Sequence, residues 1–503
     1  MKEPIKFYIQ TISPVHIGCD EFYEPTGFVL DENAWQMIVF DPLSFISQME
    51  DSDKAEFSQI CAKGTIASIL EIYKFMQNKT AEGRMIDVCP DFLEHYKQTL
   101  SFPMRNPREI QQNLNSFAIP RTAFRSVDQR PYIPGSTIKG ALRTAYLNLM
   151  EREKKLSEKG KKRNARNLEQ CLMEYNGIPT DPFRMVKVSD FMPVGETRTR
   201  IVYGINKKKK PSAREARGMP LIFEVIQPGS VFVGTIAVDS PLPGSGIRKS
   251  VSMEKLLDSS TLFYANEKER ETKELSNVGV KVIFDNTRFQ DNKNSFLVRI
   301  GRHSGAESVT IEGHRNIKIM MGKGEKPKYI GHATTLWLAS ETRKPASLAN
   351  LQPFGWVQLS RLTDDLSEEF QIKKQEWQEK ENKHQEISQA ETERKAEVIR
   401  QANEEAKKLK LEAEKRRKEE ERKKAELADM SPEERDITSL SMSNISDEKV
   451  GAIYNRIDSF SPEKKIEVAR KIKEWRIKKK IWTGQKKAQL KKVRKIKQIL
   501  NEV

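Results

Sequence analysis

At Asp364 the chain changes character. From there to about Asp429 it contains no glycine and no proline, and Glu, Lys, Arg, Gln and Ala dominate. These residues favour helix, and Glu and Lys recurring four apart support successive turns of a solvated helix. The few apolar residues in the stretch (Ile387, Val398, Ile399, Leu409, Leu411) keep no heptad. A single charged helix or an antiparallel hairpin therefore fits better than a parallel coiled coil. Such a segment builds no core of its own, so any compact domain must lie before or after it.

Composition narrows what those domains meet. The chain has 503 residues, enough for about three domains, with 37% hydrophobic and 32% charged residues and a net charge of +17. A basic excess of this size favours an acidic partner, most simply nucleic acid. The excess is uneven: Lys464 to Val503 holds 16 Lys and Arg against three Glu, a net of +13. The rest is close to balanced, so a basic groove there must be local. The four cysteines, Cys19, Cys61, Cys89 and Cys171, form no CxxC pair, which suits a reducing cytosol and argues against a zinc motif or a disulfide framework. No apolar run approaches the roughly 18 residues of a membrane span, and the early residues read as strand, not as a leader. The expectation is a cytoplasmic protein that needs no metal and no cofactor.

The hydrophobic patterning predicts a mixed fold. Ile5 to Ile12 reads as a strand that ends at Ser13-Pro14-Val15-His16-Ile17-Gly18, and Trp35 to Phe40 as another. Residues 43–116 read as mostly helical, and the Lys/Arg-rich stretch around Lys154 to Arg166 as helical or loose. From Phe183 strands dominate: Arg184 to Asp190, Thr199 to Ile205, two strands about Pro228-Gly229, Ser295 to Ile300, Thr334 to Ser340 and Gly355 to Ser360. Met253 to Leu262 reads as a short helix. Strands mixed with helices but without a βαβ repeat predict α+β. After the charged segment, Ser431-Pro432-Glu433-Glu434 is a capping pattern. It leads into three short helices, the third with a narrow apolar stripe (Leu490, Val493, Ile496, Leu500) and Lys and Arg on its other faces.

The richest motif runs Tyr132-Ile133-Pro134-Gly135-Ser136-Thr137-Ile138-Lys139-Gly140-Ala141-Leu142-Arg143-Thr144-Ala145. Pro134 and Gly135 mark a turn, Ser136 or Thr137 can cap, and Ile138, Ala141, Leu142 and Ala145 make the buried stripe of a helix. Lys139 and Arg143, four apart, share a face beside a helix N-terminus whose N–H groups attract anions, which is a site for phosphate. A capped amphipathic helix with solvated cations fits the same letters. A second candidate is the loop Gly301-Arg302-His303-Ser304-Gly305-Ala306. Its glycines permit close backbone approach and its arginine can fork onto phosphate, though it is neither a Walker loop nor a dinucleotide fingerprint. Pro120 to Arg125 sets Arg121 and Arg125 beside Phe124, a pattern that can hold single-stranded RNA. His16 or His303 could act as a base in RNA cleavage, or could hold RNA or close a loop without chemistry. No histidine spacing points to metal.

Several of these pieces occur in this order in one family. The chain resembles the RAMP proteins of CRISPR type III effector complexes, and within them the Csm-type subunit that caps the 3′ end of the guide RNA (crRNA). The matching residues are Ile12 to Gly18, Ile133 to Ala145, Lys187-Val188-Ser189-Asp190, Gly301 to Ala306, and Pro353-Phe354-Gly355-Trp356-Val357. The resemblance covers roughly residues 1–362. It implies two ferredoxin-like (RRM-like) domains, residues 1–240 and 241–362, followed by the charged helix or hairpin at 363–430 and a basic helical domain at 431–503. It also implies a non-catalytic, RNA-binding role in guide maturation and antiviral defence. Contacts would come from His16, Arg121, Arg125, Ser136, Lys139, Arg143, Arg302, His303 and Ser304, with Gly18, Gly135, Gly140, Gly301 and Gly305 as structural glycines. The implied partners are crRNA, the repeated RAMP backbone subunit and other Csm subunits, with target RNA and host trimming nucleases beyond them and no membrane. The loop has fewer glycines than many RAMP loops. His303 leaves open a metal-independent endoribonuclease, and the long helix a scaffold.

Overall fold

A computed structural model describes residues 3–103, 106–156, 164–211, 216, 218–281, 294–321, 324–442, 444–483 and 487–502. Part of the basic stretch expected around Lys154 to Arg166 lies outside them. The chain divides into two compact units, residues 1–390 and 391–503.

The first unit mixes helices with two large sheets. Alternation in the opening strand Ile5–Thr11 buries Phe7, Ile9 and Thr11 on one face. That strand is the middle of an antiparallel sheet of six strands among the described residues. Across it run, in order, Ser295–Arg299, Trp356–Arg361, Ile5–Thr11, Val231–Val238 and Val186–Val188, with Met192–Pro193 also paired to Val231–Val238. Ile9 faces Phe232 on one side and Leu359 on the other. Two helices, Gly135–Lys154 and Met253–Asn277, bury Ile138, Leu142, Leu256 and Phe263 in the same core as Phe7, Ile9 and Trp356.

The second sheet has seven described strands. Its order is Gln352–Pro353, Thr335–Ser340, Thr199–Lys208, Arg84–Val88, Gln36–Val39 and Phe28–Asp31, and Leu221–Ile226 also pairs with Thr199–Lys208. Only Arg84–Val88 against Thr199–Lys208 is parallel among these pairs. One face carries Tyr203, Ile205, Leu336 and Leu338 into a core with Leu70, Tyr73, Phe92 and Phe117 of the neighbouring helices.

Both sheets take strands from either side of residue 240, so the division expected there runs through the sheets and not between them. Two local readings also change. Arg84–Val88 is a strand inside the stretch read as helical, because its partners lie far away in sequence, Gln36–Val39 on one side and Arg200 and Ile201 on the other. The helix from Met253 continues to Asn277, its later turns held by charge: Arg270 pairs with Glu267 at 2.8 Å and with Glu274 at 2.6 Å.

Asp364–Asp429 is one continuous helix. In the second unit Ser431 and Glu434 form a capping box at the start of Pro432–Leu440. Asp447–Asn455, Pro462–Lys478 and Lys487–Ile499 follow. They enclose a small core of Leu440, Ile453, Val468, Ile472 and Ile496. No described helix is long and apolar enough to cross a membrane.

Candidate nucleic-acid interface

Three separated motifs meet where the opening strand ends. Gly355 N donates to Pro14 O at 2.9 Å, Ile300 N to Gly355 O at 2.8 Å, and Arg302 N to His16 O at 2.8 Å. The crossing requires glycine at 301. Its φ is +79°, and an added Cβ would lie 2.5 Å from the His16 carbonyl, closer than real Cβ contacts come and in a region L side chains avoid.

The next turn drives His303 inward. With φ of +65°, its ring seats 4.5 Å from Phe223, 4.7 Å from Trp337 and 5.6 Å from Phe354, with His16 at 6.5 Å. His16 is fully buried, and its Nδ1 is 2.8 Å from Glu224 O. Burial disfavours the imidazolium in both. His16 falls below the usual range, and His303 is pushed down to about 4, with the charges of His16 and Arg302 acting in the same direction. Both are neutral at neutral pH. Ser304 closes the loop, its hydroxyl donating to Gly301 O at 3.0 Å.

Arg302 points the other way. Its side chain is half-exposed and lies over Gly18, where a Cβ would overlap it. Its Nη2 meets the exposed Asp20 carboxylate at 2.7 Å. A solvent-facing pair of this kind contributes about 0–1 kcal/mol, so a phosphate can take over the guanidinium at little cost.

Glu224, which the sequence reading did not single out, anchors the cluster from below. Burial works against its ionisation. Arg84 at 2.6 Å outweighs that and, with neighbouring hydroxyls, holds the carboxyl below its ordinary range. Its other oxygen accepts from Thr122 N at 3.1 Å. A glutamate inside the apolar run Leu221-Ile222-Phe223-Glu224-Val225-Ile226 was the available signal, since buried charges need a designated partner.

The helix start differs from its expected form. Helix Gly135–Lys154 has Pro134 at its cap position, and neither Ser136 nor Thr137 caps it. Instead Gly135 N donates to Asp190 Oδ1 at 2.8 Å, and Gly135 packs so close that a Cβ would lie 2.6 Å from Ser189 O. The chain's own carboxylate thus takes the place expected for a phosphate at this N–H. Lys139 Nζ donates to Val186 O at 2.8 Å. Arg143 meets Glu169 at 2.7 Å and Asp181 at 2.9 Å. Ser136 and Gly140, one turn apart, are exposed, and a Cβ at Gly140 would meet nothing within 4 Å. Asp190→Ala is expected to lower unfolding free energy by about 1 kcal/mol, read from the urea midpoint. An unchanged midpoint would show that solvent caps this helix equally well.

The remaining arginines are engaged within the chain. Arg121 stacks 3.5 Å from the Phe124 ring centre and donates to Gln129 Oε1 at 2.9 Å. Arg125 pairs with Asp128 at 3.2 Å. Gly305, at φ +83°, has ordinary room around it. Of the expected contact residues, Arg302 and Ser136 are the exposed ones. Among the described residues no group of three His, Cys, Asp or Glu could hold a metal ion.

Comparison with known proteins adds a lineage. A curated relative, the CRISPR system protein Csm5 of Methanocaldococcus jannaschii, is 29% identical over 192 residues, 36% of this chain and 41% of that protein. The match thus spans less than half of the relative's length. Among solved structures, a chain of a Csm–crRNA–target RNA ternary complex from a type III-A CRISPR-Cas system aligns over 71% of this chain and 100% of its own, at 18% identity and a TM-score of 0.47. T. onnurineus Csm5 aligns over 70% and 99%, at 17% identity and 0.40. The family model of the RAMP superfamily matches residues 8–492, nearly the whole chain and every motif described above, and the chain belongs to that superfamily.

Proposed function

We propose that the chain is a guide-RNA-binding subunit of a type III-A CRISPR Csm effector complex. It sits near the crRNA 3′ end, where it terminates the filament of repeated RAMP subunits and supports guide maturation and antiviral defence in the cytoplasm. The observation that carries the reading is the convergence of residues 13–18, 300–305 and 353–356 on one loop that presents Arg302 outward, within a chain of the RAMP superfamily. On this reading the two sheets correspond to the two RRM-like halves. Arg302, Lys139 and the exposed turn at Ser136 and Gly140 follow the RNA backbone. Arg143, His303 and Ser304 shape the surface from beneath. The neighbours are the repeated backbone subunit and other Csm subunits, with target RNA and host trimming nucleases as further partners.

The binding reading is favoured over a histidine endoribonuclease by the full burial of His16 and by the packing of the half-buried His303 against aromatic rings. A general base works best with a pKa near the working pH, and His303 lies at about 4.

Purification from the native host, with sequencing of bound RNA and identification of bound proteins, tests the assignment. Short RNAs sharing a repeat-derived 5′ tag, together with repeated backbone subunits, are the expected result. A lone protein without RNA would overturn it. Cleavage of labelled repeat RNA that vanishes in His303→Ala would instead establish the enzyme. Within the complex, Lys139→Ala leaves the Arg143 pairs intact. It is expected to weaken guide binding and lower the salt slope by about 0.7, the value of one phosphate contact on a single strand. An unchanged slope would remove Lys139 from the interface.

A further inference from the structure

In the second unit, cations around the first three helices find carboxylates. Arg456 meets Asp436 at 2.9 Å, Lys464 meets Glu434 at 3.2 Å, Lys465 meets Asp458 at 2.8 Å and Lys479 meets Asp447 at 3.3 Å. The last helix, Lys487–Ile499, is built differently. It holds six Lys and Arg and no Asp or Glu. One side buries Val493 and Ile496. On the opposite side Lys487, Lys491 and Arg494 follow at successive turns. All three are exposed, and none makes an ion pair or a hydrogen bond among the described residues. At a rise of about 1.5 Å per residue the row is about 10 Å long.

Folding alone does not call for this row. No acidic residue stands in the first turn, so Lys487 opposes the helix dipole there, and Lys487 and Lys491 are like charges four apart. An extended anion would offset both. With Val493 and Ile496 held inside the unit, the helix has no apolar side to lay on a membrane. A protein surface is a poor match as well, because interfaces are depleted in lysine and anchored by aromatic or apolar side chains. The row has no aromatic residue, and Leu490 is the one large apolar side chain exposed on this helix. A nucleic-acid strand presents repeated phosphates, which charge alone can hold, and Arg494 can fork onto one of them.

We propose that the exposed face of Lys487–Ile499 is a second RNA contact, which holds the phosphates of single-stranded RNA without reading its bases. It lies in the second unit, whereas the Arg302 loop lies in the first. The proposal rests on the reading that the chain meets RNA and adds a contact outside the guide-binding surface.

The test uses the full chain with fluorescent oligouridylate and oligoadenylate, measured by anisotropy over a salt series. Lys487→Gln/Lys491→Gln/Arg494→Gln keeps good helix formers and removes like-charge repulsion, so its melting temperature should not fall. It is expected to weaken binding of both probes equally, by roughly tenfold, and to lower the salt slope by about 2, three contacts at about 0.7 each. Lys491→Gln alone should lower the slope by about 0.7, which keeps the test open if the triple variant does not fold. Wild-type affinity and slope in a folded variant, with binding lost in Arg302→Ala, would overturn the second contact and leave the guide-binding reading in place. Loss confined to one of the two probes would overturn contact by phosphates alone. Displacement of the probe by polyglutamate as readily as by unlabelled RNA would assign the face to an acidic protein and overturn its RNA source. Wild-type protein that binds neither probe would overturn both readings.

Discussion

Glu271→Ala is expected to destabilise the first unit by about 3–5 kcal/mol, the typical cost of stranding one member of a buried ion pair. Glu271 reaches from helix Met253–Asn277 into the core of the first sheet. It accepts from Arg299 at 2.7 Å and from the Trp356 indole N–H at 2.7 Å. Arg299 and Glu271 are both under 5% exposed, and Arg299 Nε also donates to Phe354 O at 3.0 Å. Removing the carboxylate leaves the Arg299 charge without its counter-ion and the indole N–H without an acceptor where water cannot reach. The urea midpoint reads the loss. Replacing both charges, as Glu271→Leu/Arg299→Met, should recover much of it, because the stranded charge carries the penalty. A single variant as stable as wild type would show that the pair is not what holds the helix to the sheet. Arg299 and Trp356 flank the glycine loop, so the single variant should also bind guide RNA poorly.

Acid is expected to weaken the same region before its carboxylates titrate. In the unfolded chain His303 takes up a proton near pH 6.5, but in the fold only near 4. Its contribution is therefore complete above about pH 6.5 and is lost as pH falls toward 4, up to about 3 kcal/mol. His16 is shifted in the same direction and adds to the slope. Glu307 titrates in a separate window. Lys209 at 2.5 Å overcomes the burial penalty and holds the carboxyl at about 2, so its stabilisation is lost only as pH falls below about 4.5. Melting temperatures measured from neutral pH down to about 4.5 for wild type and His303→Asn separate these terms. The variant should start lower and fall less. Parallel curves would mean that His303 takes up its proton at the same pH in the fold as in the unfolded chain.

The sequence displayed the pieces of the site more clearly than their assembly. Ile5–Thr11 is legible because alternation over a half-buried strand is a local property. The helix after Pro134 is legible because Ile138, Ala141, Leu142 and Ala145 repeat at helical spacing. Arg84–Val88 was hidden because both of its partners, Gln36–Val39 and the Arg200–Ile201 part of Thr199–Lys208, are distant in sequence. The surroundings of the charges were hidden for a related reason. Lys139 and Arg143 share one helix face in the sequence pattern. Glu169, Asp181 and the Val186 carbonyl, which engage them, come from later turns of chain. The Gly301 loop was recognisable as a close approach, but the direction of its histidine depended on Phe223, Trp337 and Phe354, which arrive from three different strands or turns.

The central place of strand Ile5–Thr11 has a consequence during synthesis. It leaves the ribosome well before its two neighbours, Val231–Val238 and Trp356–Arg361. At about 5–20 residues per second, the second neighbour emerges roughly 20–70 s later. Throughout that interval one edge of an apolar strand stands open, and the closing segment is the one that carries Gly355 and Trp356. A chain truncated before residue 356 would thus present an unpaired strand edge to the cell, a surface prone to adding foreign strands. Expression of such a fragment calls for a chaperone or a fusion partner to keep it from aggregating.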